Sequence, residues 1–264
     1  MNLLNLFNQR PYKIGIALSG GGIKGLCHAG VLKALEEHGI KPDIVSGVSA
    51  GAIVGALYAD GYSPDEIAKL FEDISFRRMT QIQIPDGGFF KIDSFQRFLH
   101  KNLHAKTFEE LKTPLRVVAT DLDKGRIVTF TSGKLLERVI ASCSIPVLFS
   151  PKIIDGVHYV DGGVLKNFPV STIRDDCDKV IGVNASPLVA DEYKTTILNV
   201  AARSYHFMFK ANILHDKELC DLLIEPVDMA NYETFDVAKG REIFELGYRS
   251  TKQMLVNKLD MSRV

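Results

Sequence analysis

Three short runs in this chain have residue types and spacings that could do chemistry. The first is Gly47-Val48-Ser49-Ala50-Gly51, which fits G-x-S-x-G. Ile44-Val45 before it reads as a buried strand, and the small apolar residues after it read as a helix to about Asp60. Strand, sharp turn and helix are the setting in which a serine is held in a strained conformation with its oxygen pushed outward. Gly47 and Gly51 flank the turn, where only glycine lets strand and helix come so close. Ser49 would then stand at a helix N-terminus, where free N–H groups favour negative charge. A five-residue pattern alone is also what an ordinary glycine-rich turn contains, so the context carries the reading as a nucleophile.

The second run, Gly20-Gly21-Gly22-Ile23-Lys24-Gly25, follows an apolar stretch and precedes a helical one. Gly20, Gly22 and Gly25 match G-x-G-x-x-G literally, so dinucleotide binding is one reading. That reading wants an acidic residue at the C-terminal end of the second strand. Asp43 has nearly the right spacing but precedes Ile44-Val45, at the wrong end. No Lys-Ser or Lys-Thr pair closes the loop, which excludes a P-loop. The better reading is an oxyanion hole: successive N–H groups of Gly20, Gly21 and Gly22 converge on a developing oxyanion, and the N–H of Ala50 adds a donor. Lys24 either adds positive charge there or is a solvated lysine at a helix start.

An elbow serine needs a proton acceptor. The histidines after it are His100, His104, His158, His206 and His215, and none sits in a glycine-rich loop after a strand. The third run, Asp161-Gly162-Gly163, follows a strand end, so the Asp161 carboxylate can stand exposed at a sheet edge. An ordinary Asp-Gly turn fits those residues equally well.

The elements that must position these runs alternate. Strands are expected near Lys13–Ser19, 44–45, 115–120, 127–130, 179–183 and 222–225, with a hairpin at 152–160 around Asp155-Gly156. Helices are expected to about His38, over 94–103, 107–112, 134–142, 195–216 and 237–258. Ser63 with Glu66, and Thr107 with Glu110, read as capping boxes. Residues 76–92 have no clear period and include Ile82, Ile84, Phe89 and Phe90, which could cover an acyl channel. The alternation implies an α/β sandwich with a largely parallel sheet.

The whole chain bounds the possibilities. Its 264 residues, 46% hydrophobic, suit a short arm at 1–11 and one domain over 12–264, helical in its C-terminal part from 184. Lys+Arg and Asp+Glu are both 32, with no long basic run, which argues against nucleic acid as the main partner. The four cysteines are far apart, with no disulfide or zinc spacing, which suits a reducing compartment. The N-terminus is a poor signal peptide, and no apolar run reaches the length of a membrane span. Leu3, Leu4, Leu6 and Phe7 could touch a membrane surface or pack on the body. Nothing in the sequence speaks to oligomeric state.

Taken together, Gly20–Gly25, Gly47–Gly51 and Asp161–Gly163, in this order and spacing, resemble the patatin-like phospholipase family, bacterial branch, which is also similar to the catalytic domains of neuropathy target esterase. Tyr159 and Ala141-Ser142-Cys143-Ser144-Ile145-Pro146 look like the same pattern, and the resemblance covers about Ile14 to Val183. It implies a three-layer α/β/α fold and a Ser–Asp dyad of Ser49 and Asp161, with the glycine loop as oxyanion hole. It also implies lipid acyl esters as substrates and neither metal nor cofactor. A non-catalytic lipid-binding protein of the same fold is the remaining alternative. The expected location is the cytoplasm, with contact to a membrane surface.

Overall fold

The computed structural model describes residues 10–72, 93–146, 148–187, 207, 212–234 and 237–261. Most of the arm at 1–11, the irregular stretch 76–92, most of the expected helix 195–216 and His206 lie outside them.

Alternation in the strands sorts side chains between two cores. In β1 (Tyr12–Leu18), Ile16 and Leu18 enter the larger core and Ala17 the smaller. In β2 (Ile44–Val48), Val45 enters the larger and Ile44 the smaller. The larger core lies under α1 (Leu26–Glu37), α2 (Ala50–Asp60), α3 (Pro64–Glu72) and α4 (Asp93–Asn102). Full burial of Leu32, Leu35 and Leu57 contributes roughly 1.5–3 kcal/mol apiece. On the other face, Phe168, Val170 and Ile173 come from a run of 3₁₀ turns, and Ile213 directly precedes α6 (Leu214–Glu218). Among the described residues the layers are therefore helix, sheet, and a cover of turns and short helix.

The sheet is mostly parallel. Strands β1, β2, β3 (Leu115–Asp121), β7 (Cys177–Val183) and β8 (Leu222–Ile224) run the same way. With β5 at Lys152–Ile154 and β6 at Val157–Asp161, the strand order is β5-β6-β3-β2-β1-β7-β8, and β4 (Arg126–Phe130) also pairs with β3. β5 and β6 form the expected hairpin, with Asp155 at φ 50° and Gly156 at φ 79° in its turn.

The register of β3 builds the site. β2 pairs with its first half, ending at Val48 opposite Val118. β6 pairs antiparallel with its second half, and Asp161 is opposite Ala119. β4 overlaps both registers, so it holds the other edge. β2 and β6 thus meet end to end on one edge of β3, and their last residues occupy consecutive positions.

The C-terminal helix α7 (Gly240–Met261) packs along α1. A side chain at Gly30 of α1 would overlap the Phe244 carbonyl, and one at Gly247 would overlap the Cys27 carbonyl. The two helix backbones touch through these glycines.

Most element boundaries match the sequence reading, including the Ser63–Glu66 capping box, where the Ser63 N–H donates to Glu66 at 2.8 Å. The second box does not form. Glu110 instead accepts the N–H of Lys106 at 2.7 Å, and Thr107 pairs with Lys134. Only a 3₁₀ turn, Phe108–Glu110, remains of that expected helix.

Candidate active site

Ser49 follows β2 and caps α2 with φ 53° and ψ −122°, one of two non-glycine residues with positive φ among those described. Such a conformation costs about 1–3 kcal/mol and persists only where its surroundings enforce it. The flanking glycines are part of that enforcement. A Cβ at Gly47 would overlap the Gly51 carbonyl, and one at Gly51 would overlap the Leu18 carbonyl. α5 (Leu135–Ser142) supplies the rest. The Ser49 N–H donates to Ser142 Oγ at 2.9 Å, and Ser142 Oγ donates to the Val118 carbonyl at 2.6 Å. The Cys143 thiol donates to the Ser49 carbonyl at 3.4 Å.

Asp161 ends β6 and is only 1% exposed. The sequence reading of an exposed carboxylate at a sheet edge is therefore corrected: β3, the end of α5 and the elbow enclose it. Its N–H donates to the Ser144 carbonyl at 2.9 Å, and its Oδ1 accepts the Gly163 N–H at 2.8 Å. The Ser49 side chain lies near enough to this carboxylate to favour its charged form. Burial disfavours the charged form and raises the Asp161 pKa from 3.8 to about 7, while Ser49 and the Gly163 N–H pull it down. A carboxylate beside the elbow serine is thereby moved towards histidine's usual range.

The glycine loop runs beside the elbow. Gly25 lies against Ala50, and a Cβ at Gly20 would come within 3.3 Å of the Ser49 Cβ. The Gly20 N–H donates to the Asn167 carbonyl at 3.1 Å, so it is committed elsewhere. This departs from the reading that made all three glycines donors. The N–H groups of Gly21, Gly22 and Ala50 meet no acceptor among the described residues. Gly22 takes φ 60°, which glycine adopts without strain. Lys24 is 9% exposed and is a buried residue, not a solvated one. Behind the loop, Asn167 donates its N–H to Asn212 Oδ1 at 2.9 Å, and Asn212 Nδ2 reaches the Gly163 carbonyl at 3.3 Å. His28 lies fully buried beneath, with Nε2 2.8 Å from the Ser19 carbonyl.

No described histidine bonds Ser49 or Asp161. His38 contacts the Ala34 carbonyl, His104 pairs with Asp60, and His158 pairs with Asp123. Burial lowers the His28 pKa to about 4. Asp43 accepts the N–H groups of Lys13 and Ile14 at the N-terminal end of the sheet, so it offers no ribose ligand to the glycine loop. The supporting roles of Asn167, Asn212 and His28 have no signature in the sequence. Those of Ser142 to Ser144 had a partial one, in small polar residues ending an apolar helix.

Comparison with known proteins gives the family and the fold. The family model described as patatin-like phospholipase matches residues 16–173, more than half of the chain. The protein is 30% identical to the uncharacterized protein YqhO of Bacillus subtilis, over 90% of this chain and 96% of that one. It is 27% identical to human patatin-like phospholipase domain-containing protein 6, over 90% of this chain but only 20% of the human protein. The fold is similar to that of VipD from Legionella pneumophila, with a TM-score of 0.61 at 18% identity over 94% of this chain and 67% of VipD. Matched along most of its length, with the glycine loop, the elbow and the Asp-Gly-Gly run all inside the matched span, the chain belongs to the patatin-like phospholipase family.

Proposed function

We propose that the protein is a serine acyl hydrolase acting on lipid esters, with Ser49 as nucleophile and Asp161 as its only base. The observation that carries this reading is a serine on a strained elbow set beside a buried carboxylate, the two standing at the ends of β2 and β6 on consecutive positions of β3, with burial raising the carboxylate pKa to about 7. Asp161 accepts the hydroxyl proton as Ser49 Oγ attacks the ester carbonyl. The N–H groups of Gly21, Gly22 and Ala50 then receive the oxyanion. Protonated Asp161 returns the proton to the leaving alcohol, and the acyl group stays on Ser49. Water, deprotonated by Asp161 in turn, attacks the acyl carbon, and Asp161 returns that proton to Ser49 Oγ as the Ser49–acyl bond breaks and the acid leaves.

The substrate class rests on the surroundings and the family. Beside Ser49, Gly22, Ile23, Leu26, Ile53, Val54 and Phe71 border an apolar crevice of about 20 Å³. That is room for about one water, so an acyl chain enters only as these side chains part. Each buried CH₂ of the chain gains about 0.8 kcal/mol. Family relatives include a protein named lysophospholipase nte1, from Neurospora crassa, which is 26% identical over 92% of this chain and 18% of that protein.

Contact with a lipid surface has support in the antiparallel part of the sheet. Cross-strand register places Leu122, Ile127 and Ile153 on one face, all exposed, beyond the end of β2. No helix among the described residues is long and apolar enough to cross a membrane. Four cysteines with free thiols suit a reducing compartment such as the cytoplasm.

The test is labelling by a fluorophosphonate together with turnover on phospholipids, lysophospholipids and short esters. Labelling that is lost in Ser49→Ala, with turnover on at least one ester, is expected. A folded protein that binds lipid vesicles but neither labels nor turns over would be a lipid-binding protein that keeps the fold.

A further inference from the structure

We propose that Ser142 is a positioning residue, whose hydroxyl holds the Ser49 elbow in its strained conformation through the Ser49 backbone N–H. The inference rests on the reading of Ser49 as nucleophile and adds a part that none of the three motifs contains.

Ser142 is fully buried at the last position of α5. Its Oγ accepts from the Ser49 N–H at 2.9 Å and donates to the Val118 carbonyl at 2.6 Å. Val118 is the β3 residue opposite the last residue of β2, just before the register passes to β6. At this junction two backbone groups need partners that neither strand supplies, and one hydroxyl satisfies both. Unpaired buried N–H and C=O groups are rare because each is costly. The cheapest relief for an orphaned Ser49 N–H is rotation of its peptide away from φ 53°, towards the ordinary range. That rotation swings Ser49 Oγ off Asp161.

The next two residues grip the same pair. Cys143 bonds the Ser49 carbonyl, and the Ser144 carbonyl takes the Asp161 N–H. α5 therefore holds nucleophile and base against one rigid end. Ser142 touches neither substrate nor any reacting atom. Its effect passes through the orientation of Ser49.

The experiment uses the full chain with one soluble ester. Wild type, Ser49→Ala, Ser142→Ala, Ser142→Cys and Ser142→Thr are compared for kcat, KM, melting temperature and pH profile. Ser142→Ala is expected to lose 10- to 100-fold in kcat with KM within twofold. Its acid limb should move to higher pH, because the Ser49 contact that lowers the Asp161 pKa is weakened. Ser142→Thr, which keeps the hydroxyl, should recover most of kcat. Should Ser142→Ala not fold, Ser142→Cys carries the test, since it keeps the volume but is a poor acceptor. A folded Ala or Cys variant with wild-type kcat and acid limb overturns the proposal, as does a loss confined to melting temperature. Undiminished activity in Ser49→Ala overturns the underlying nucleophile assignment instead, so the two failures are told apart.

Discussion

Ser49 and Asp161 reach the same edge of β3 by opposite constructions. Ser49 is held by local strain: φ 53°, a helix starting at the next residue, and glycines two positions away on each side. Asp161 has unstrained backbone, φ −46° and ψ 130°, and its character comes from distant segments that exclude water from it. The parallel body of the sheet thus sets where the serine oxygen points. The antiparallel part sets how basic its partner is. Geometry is purchased with backbone strain on one side and with a buried charge on the other, so the two residues should answer differently to the same removal.

The largest contrast is expected from Ser49→Ala and Asp161→Asn. Asp161→Asn should lose turnover by about 10²–10⁴-fold, the usual contribution of a positioned base, and Ser49→Ala, which removes the nucleophile, should lose more. Their stabilities should diverge. The folded pKa of Asp161, about 7, lies above the unfolded carboxylate value, so ionising it favours unfolding. That cost is absent below about pH 4, grows as pH rises through 7, and is complete above it. Asp161→Asn should therefore melt higher than wild type at pH 8, by on the order of a few kcal/mol, and gain nothing at pH 4. Ser49→Ala should show no such pH-dependent gain. Equal stability of Asp161→Asn and wild type at pH 8 would mean that the carboxylate is not buried as a charge.

Next in size is the glycine loop. Gly22→Val places a branched side chain at φ 60° against Thr234, and should cost about 10²–10³-fold in kcat. Fluorophosphonate labelling should slow in parallel while circular dichroism stays unchanged. Normal turnover in the folded variant would move the oxyanion donors elsewhere.

The pH profile sharpens the base side alone. Turnover should fall about tenfold per unit below pH 7, because protonated Asp161 cannot accept the serine proton. A limb that stays flat down to pH 5 would contradict the burial argument. The smallest effect is expected from the aromatic contact that seats the antiparallel part. Phe130 and Tyr159 meet edge to face at 5.2 Å. Tyr159→Leu should cost about 1 kcal/mol in chemical denaturation and leave kcat within twofold. A large loss of kcat would show that the hairpin aims Asp161 as well as enclosing it.

The same asymmetry explains what the sequence disclosed. The elbow was legible because its causes are local: Ile44-Val45, two glycines and a small apolar helix suffice to imply strand, sharp turn and helix. The alternation of strands and helices was legible for the same reason. Asp161 could be picked out as a residue, but its burial could not, since Ser144, Ser49 and Ala119 surround it only after β3 pairs with both β2 and β6. The loss of Gly20 as a donor follows from Asn167, which nothing in the local pattern connects to the glycine loop. The false capping box at Thr107 failed because a competing acceptor geometry, Glu110 on Lys106, was available one residue away.

The glycine contacts between α1 and α7 have a consequence for the order of events in synthesis. A chain leaves the ribosome N-terminus first, so the elbow, the Asp161 hairpin and their shared edge of β3 are all available before the last quarter exists. The glycine loop is not finished at that point. The Ile23 N–H waits for the Thr234 carbonyl, and the Gly30 face of α1 stays bare until Phe244 and Gly247 arrive. The C-terminal segment from Thr234 through α7 is therefore what completes the packing around the glycine loop, although it lies far from that loop in sequence.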